Sequence, residues 1–125
     1  MRALMLIAAA TLVGSCARPA TLPGAALAQE TAGRVAGPAQ TCVNAEQTEN
    51  LRVLDRQTLA YGWGSTIYVN HLAAACPGLD PTSTLIISAQ SGQYCRGDRV
   101  QAREPGAIIP GPSCNLSDWI PYRRP

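Results

Sequence analysis

Five cysteines, one histidine and eight carboxylates are the residues of this 125-residue chain best suited to chemistry. Cys16 stands near the N-terminus, and Cys42, Cys76, Cys95 and Cys114 follow at spacings of 34, 19 and 19. Zinc sites built from cysteine usually carry a C-x-x-C knuckle, and none is present, so no metal is expected. Four cysteines after Cys16 instead fit two disulfides, with three connectivities open. The nested arrangement, Cys42–Cys114 around Cys76–Cys95, is preferred because the longest closed loop removes most entropy from the unfolded chain.

His71, in "YVNHL", is the single candidate general base. Paired with Asp98 or Asp55 it would serve a small periplasmic, hydrolase-like enzyme. No G-x-S-x-G elbow accompanies it, and Asp55, Asp80, Asp98 and Asp118 stand singly near turns, where aspartate commonly bonds its own backbone. No catalytic residue and no cofactor is therefore assigned, and a non-enzymatic binding or supporting role is the leading expectation. Tyr61, Trp63 and Tyr68 offer a carbohydrate-stacking alternative to a purely structural use of their rings.

The stretch "QYCRGDRV", residues 93–100, holds an Arg-Gly-Asp triplet. Side chains alternate along a strand, so an inward Cys95 would turn Val100, five residues on, outward. Val100 and Ala102 nevertheless form the apolar set, which predicts a bulge or turn at Gly97 and Asp98, where glycine tolerates a left-handed backbone. The triplet thus reads as a bend beside a disulfide.

What must position these residues begins with an export segment. Arg2 precedes the unbroken apolar run of residues 3–13, too short to span a bilayer and suited to a signal peptide. Val13-Gly14-Ser15-Cys16 resembles a lipobox, making 1–15 the signal peptide and Cys16 the lipidation site. A second exit follows Ala28, in Ala26-Leu27-Ala28, and would release a soluble secreted binding module. The lipobox is preferred, because Arg18 and Pro19 make the longer route a charged one.

Residues 16–40 read as an Ala/Pro/Gly-rich tether. In 17–40, sixteen of 24 residues are Ala, Gly, Pro or Thr, leaving little side chain to offset the entropy of ordering. From Gln29 onward eight arginines balance eight acids, so no net basic surface calls for nucleic acid.

Residues 41–125 read as a β-rich domain: a small, disulfide-stapled antiparallel sheet or partial barrel of about five strands. Leu59, Tyr61 and Trp63 alternate with small residues, and "TIYVN" follows Gly64-Ser65, which predicts a hairpin with all three large residues facing a core. A second hairpin is expected from 84–90 and 93–95 about Ser91-Gly92, with Ser88 opposite Cys95. The terminal "WIPYRRP" reads as a solvated tail after a docked tryptophan, with contact of Trp119, Tyr122, Arg123 and Arg124 to a phosphate or lipid headgroup as the alternative.

The order of "RVLDRQTLAYGWGSTIYVNHLAAACPGL" (52–79), "YCRGDRV" (94–100) and "CNLSDWIP" (114–121) resembles a family of small exported proteobacterial proteins, often lipoproteins, classed as a domain of unknown function. The matching positions include Val53, Asp55, Thr58, Tyr68, Asn70, Cys76, Gly97, Asp98, Trp119 and Pro121, while Ser117 stands where the family more often has glycine. The resemblance implies an envelope location and no particular activity. The expected protein is a periplasmic lipoprotein of a Gram-negative bacterium, held to the membrane by a lipid on Cys16, with an envelope protein or ligand as partner.

Intact mass spectrometry of the mature protein should give a chain that starts at an acylated Cys16. A chain starting at an unmodified Gln29 contradicts that expectation.

Overall fold

The structure, a computed structural model, describes Gly14, Leu22 and residues 24–45 and 51–125. Cys16 lies outside the described residues. The described chain is mainly β and antiparallel, with two disulfides. One short helix, α1 (Ala25–Glu30), precedes ten short strands: β1 (Val35–Ala36), β2 (Cys42–Asn44), β3 (Arg52–Asp55), β4 (Thr58–Tyr61), β5 (Thr66–His71), β6 (Thr84–Ser88), β7 (Gln93–Cys95), β8 (Arg99–Arg103), β9 (Cys114–Asn115) and β10 (Trp119–Arg123). They form a five-stranded sheet in the order β1-β10-β5-β4-β3, a three-stranded sheet β6-β8-β9 and the pair β2-β7.

The first predicted hairpin is present as β4 and β5, with Tyr61 opposite Tyr68 and Ala60 opposite Val69. Its ladder stops at Tyr61, and the loop 62–65 carries Trp63 out to 70% exposure, whereas Leu59 and Tyr61 are buried. Register alternation places Val53, Leu59, Tyr61, Asn70 and Trp119 on one face of the sheet, turned toward the other two sheets. Ala60, Ile67 and Val69 are buried on the opposite face, and α1 residues Ala26, Gln29 and Glu30 border the same cleft as Ile67.

The second predicted hairpin is corrected. β6 pairs with β8, setting Ile87 against Val100 and Leu85 against Ala102, while β7 crosses to β2. Apolar matching explains the choice: Val100 and Ala102 are buried, and Leu85 and Ile87 pack on the same core, which a Ser88–Cys95 register would not achieve.

The nested disulfide pairing is likewise overturned, because Cys42 joins Cys95 and Cys76 joins Cys114. Cys42 and Cys95 are directly opposite on β2 and β7. The Arg96 amide donates to the Thr41 carbonyl at 2.8 Å, which makes Cys42 and Cys95 the neighbouring non-hydrogen-bonded pair, with Cα atoms 4.0 Å apart. Cross-strand pairing places those two thiols side by side, a relation that loop length alone does not predict.

Part of the expected tether is also structured. Within residues 16–40, α1 forms and β1 pairs with β10, with Val35 opposite Arg123 and Ala36 opposite Tyr122. The Gly37 amide donates to the Pro121 carbonyl at 2.7 Å. Small side chains suit this contact, since a Cβ on Gly37 would meet the Pro121 ring at 3.2 Å. The terminal segment is accordingly a central strand. Pro121, which lacks an N–H, is accommodated because its carbonyl points to the short β1 side and the β5 ladder continues past it.

Trp119 is fully buried and its indole N–H donates to the Tyr94 carbonyl at 2.9 Å. Its backbone exchanges two bonds of 2.8 Å with Gln40. Asn70, also fully buried, donates to the Ser117 carbonyl at 2.7 Å and accepts from the Ser117 amide at 2.9 Å, so both ends of its amide are satisfied.

Trp119→Ala should lower the unfolding free energy by about 3–5 kcal/mol and Trp119→Phe by about 1–3 kcal/mol, read from urea unfolding midpoints.

Candidate binding surfaces

Most of the described residues singled out for chemistry have a structural occupation. The Cys95–Asp98 segment is a turn in which the Asp98 amide donates to the Cys95 carbonyl at 3.0 Å. The Asp98 carboxylate accepts from the Cys95 amide at 2.8 Å. Gly97 sits at φ +90°, a conformation that costs L-residues strain. The turn sends β7 to one sheet and β8 to another, and it lies beside Cys42–Cys95. Arg96 points outward to Asp118 at 3.2 Å. The triplet therefore spends its aspartate on the chain itself.

His71 lies opposite Thr58 in the β4–β5 ladder, with Nδ1 3.5 Å from the threonine hydroxyl. Among the described residues no hydrogen bond joins it to Asp55 or Asp98. The Asp55 carboxylate accepts from the Gln57 amide at 2.8 Å. Asp80 accepts from the amide and hydroxyl of Thr82, and the hydroxyl bond above all holds its carboxyl below the usual range. Among the described residues no group of three or more His, Cys, Asp or Glu is placed to hold a metal. The aromatic platform is not assembled either. Tyr61 is buried against Tyr68, Tyr94 and Trp119, at ring-centroid distances of 6.4, 5.6 and 6.2 Å, while Trp63 is exposed in its loop. Burial pushes the Tyr94 phenol up, as a core ring should.

Among the described residues, two surface regions at opposite ends of β4 combine a cleft with exposed large apolar side chains. Beyond the 56–57 turn, the Cys76 amide donates to the Arg56 carbonyl at 2.9 Å, bringing the 76–79 turn alongside. A shallow cleft of about 300 Å³ opens there among Arg56, Gly78, Asp80, Thr82 and Glu104. Next to it, Pro77, Ala102, Ala107, Ile109 and Pro112 line an open groove. Ile108 and Ile109 stand at 90% and 81% exposure on the loop between β8 and β9.

That loop is held at its base. The Gly111 amide donates to the Ala102 carbonyl at 2.8 Å, and Gln101 Nε2 donates to the Gly111 carbonyl at 3.0 Å. Glycine suits so close an approach, since a Cβ on Gly111 would meet the Ala102 and Pro77 carbonyls at 3.2 and 3.4 Å and crowd them. Pro105 and Pro110 further narrow the conformations of the tip. The spacing of Pro-Gly pairs around two isoleucines was visible in the sequence, but their exposure was not.

At the other end of β4, Trp63 and Gly64 border a cleft with α1, Arg34, Arg52, Leu54 and Arg124. Arg52 pairs with Glu30 and donates to the Gly62 carbonyl at 2.8 Å. Burial there works against its charge.

No protein-family model, curated protein or solved structure matches the chain.

Gly97→Ala should cost about 1–2 kcal/mol through its positive φ, and Asp98→Ala about 1–3 kcal/mol through the backbone amide it strips of a partner. Urea unfolding of both variants, with the disulfides intact, checks these values.

Proposed function

We infer that the protein is a non-enzymatic lipoprotein of the bacterial envelope, a disulfide-stapled domain that binds a protein partner through the loop between β8 and β9. The observation that carries this reading is the pair Ile108-Ile109, almost wholly exposed on a loop whose base is fixed at Gly111. Exposing two large β-branched side chains together forgoes their burial energy. Holding them in place lowers the ordering cost of binding. A partner with an apolar pocket would recover that burial, and Asp80, Glu104 and Arg56 at the adjoining cleft supply a polar rim.

The residues available for acid–base work support a binding role over catalysis by what they are already doing. Asp55 and Asp98 accept backbone amides, and His71 faces a threonine across the sheet. The export reading draws on the lipobox at Cys16, the resemblance to exported proteobacterial proteins and the two disulfides, which suit an oxidising compartment. Cleavage after Ala28 would remove the first four residues of α1, of which Ala26 borders the Trp63 cleft, whereas lipidation at Cys16 would leave the helix intact.

Crosslinking in intact cells should trap one or a few envelope proteins. The double change Ile108→Asp with Ile109→Asp should abolish the crosslink while leaving the unfolding free energy within about 0.5 kcal/mol, as for other exposed sites. Unchanged crosslinking in that variant would sink this assignment of the surface.

A further inference from the structure

We propose that the end of the domain formed by Trp63, Val35 and the arginines Arg34, Arg52, Arg123 and Arg124 rests on an anionic lipid surface. The inference deepens the lipoprotein reading and rests on it for the proximity of a membrane. Several backbone links gather these residues. Val35 lies opposite Arg123 in the sheet. The Arg124 amide donates to the Ser65 carbonyl at 3.0 Å, tying the C-terminal segment to the loop of Trp63. Arg34, Arg52 and Arg124 then line one cleft with Trp63, where, among the described residues, Glu30 is the acidic side chain and is paired with Arg52.

Charge and apolar exposure coincide here as a headgroup region requires. Trp63 is 70% exposed and Val35 64%. Tryptophan favours the membrane interface, where its ring meets the acyl boundary while its N–H stays wet, and arginine pairs with lipid phosphate. Residues from Gln29 onward carry no net charge, so the arginines matter here through their grouping among the described residues. Val35 and Arg123 lie at the same end of the sheet but on the face opposite Ile67 and the Trp63 cleft, so a flat surface would meet both faces' ends. A purely anionic glycan would use the arginines but leaves exposed Trp63 and Val35 unexplained, which is why lipid is the favoured occupant.

Chain entry fixes the orientation. The Ala25 amide donates to the Leu22 carbonyl at 3.0 Å, where the chain enters α1 beside this cleft, and Leu22 itself is 75% exposed. Eight residues lead from Cys16 to Gly24, a contour of at most about 26–29 Å whatever its conformation. A lipid on Cys16 therefore keeps the Trp63 end close to the bilayer. The Ile108-Ile109 loop, beyond the far end of β4, then faces away from it.

The test uses the mature chain from Cys16 onward, with Cys16→Ser so that no acyl group contributes. It is mixed with vesicles of phosphatidylglycerol and phosphatidylethanolamine, or of phosphatidylcholine alone. Binding to the anionic vesicles is expected, weakening with added salt, together with a blue shift and brominated-lipid quenching of tryptophan emission. Trp119 is fully buried, so the shift reports Trp63 and should vanish in Trp63→Phe. Arg123→Gln and Arg124→Gln, both at exposed positions, should each weaken partitioning about fivefold, while Arg99→Gln and Arg103→Gln on the three-stranded sheet should not.

Equal losses from all four arginines would overturn the proposal, as would no binding, or binding to anionic glycan without a change at Trp63. The mass of the native N-terminus separates the two readings. Acylated Cys16 with no vesicle binding by the serine variant overturns this inference and spares the lipoprotein reading. Vesicle binding with an unacylated Cys16 does the reverse.

Discussion

The hydrogen bond from the buried Trp119 indole to the Tyr94 carbonyl is the contact around which the domain is arranged. It joins β10, in the five-stranded sheet, to β7, in the two-stranded one. The same residue bonds Gln40 through its backbone and so fixes where the N-terminal segment enters β2. A small domain without phenylalanine has few large side chains with which to bury surface. Placing its one buried tryptophan at the junction lets a single side chain supply apolar area and satisfy a polar group at the same point. The clamp of Asn70 on Ser117 sets the approach to Trp119 from the other side. The two disulfides stand outside this junction, one across β2 and β7 and the other tying the 76–79 turn to β9.

Among the described residues, two regions of surface lie at opposite ends of β4, with the length of that strand between them. One carries Trp63 and arginines, the other the Ile108-Ile109 loop with Asp80 and Glu104 beside it. Each is built on backbone pinned to the sheets rather than on catalytic groups. A domain arranged in this way suits a role in which one end stays near a membrane and the other meets a partner.

Several features were legible in the chain because they depend on neighbours in sequence. The period-two pattern of Leu59 and Tyr61, the turn residues of the first hairpin and the parity conflict between Cys95 and Val100 all act over a few residues. In each region the structure has a strand, a loop or a turn. Trp63 departed from the pattern because alternation cannot say where a ladder ends. The tether from 17 to 40 was misjudged over its second half because poor side chains do not prevent backbone pairing. Gly37 is useful at the sheet edge for the very smallness that made the segment look unstructured.

Amino-acid order by itself determined the class of the described domain: a cysteine-stapled β domain with no long helical period. Tertiary structure decided which strands meet. With that it decided the disulfide partners, the burial of Trp119, and the gathering of Arg34, Arg52 and Arg124 around Trp63. The reason is that pairing between distant strands is selected by the fit of whole apolar faces, as with Leu85 and Ile87 against Ala102 and Val100. No local pattern encodes that fit, and the cysteines and arginines are carried to wherever the matched faces place them.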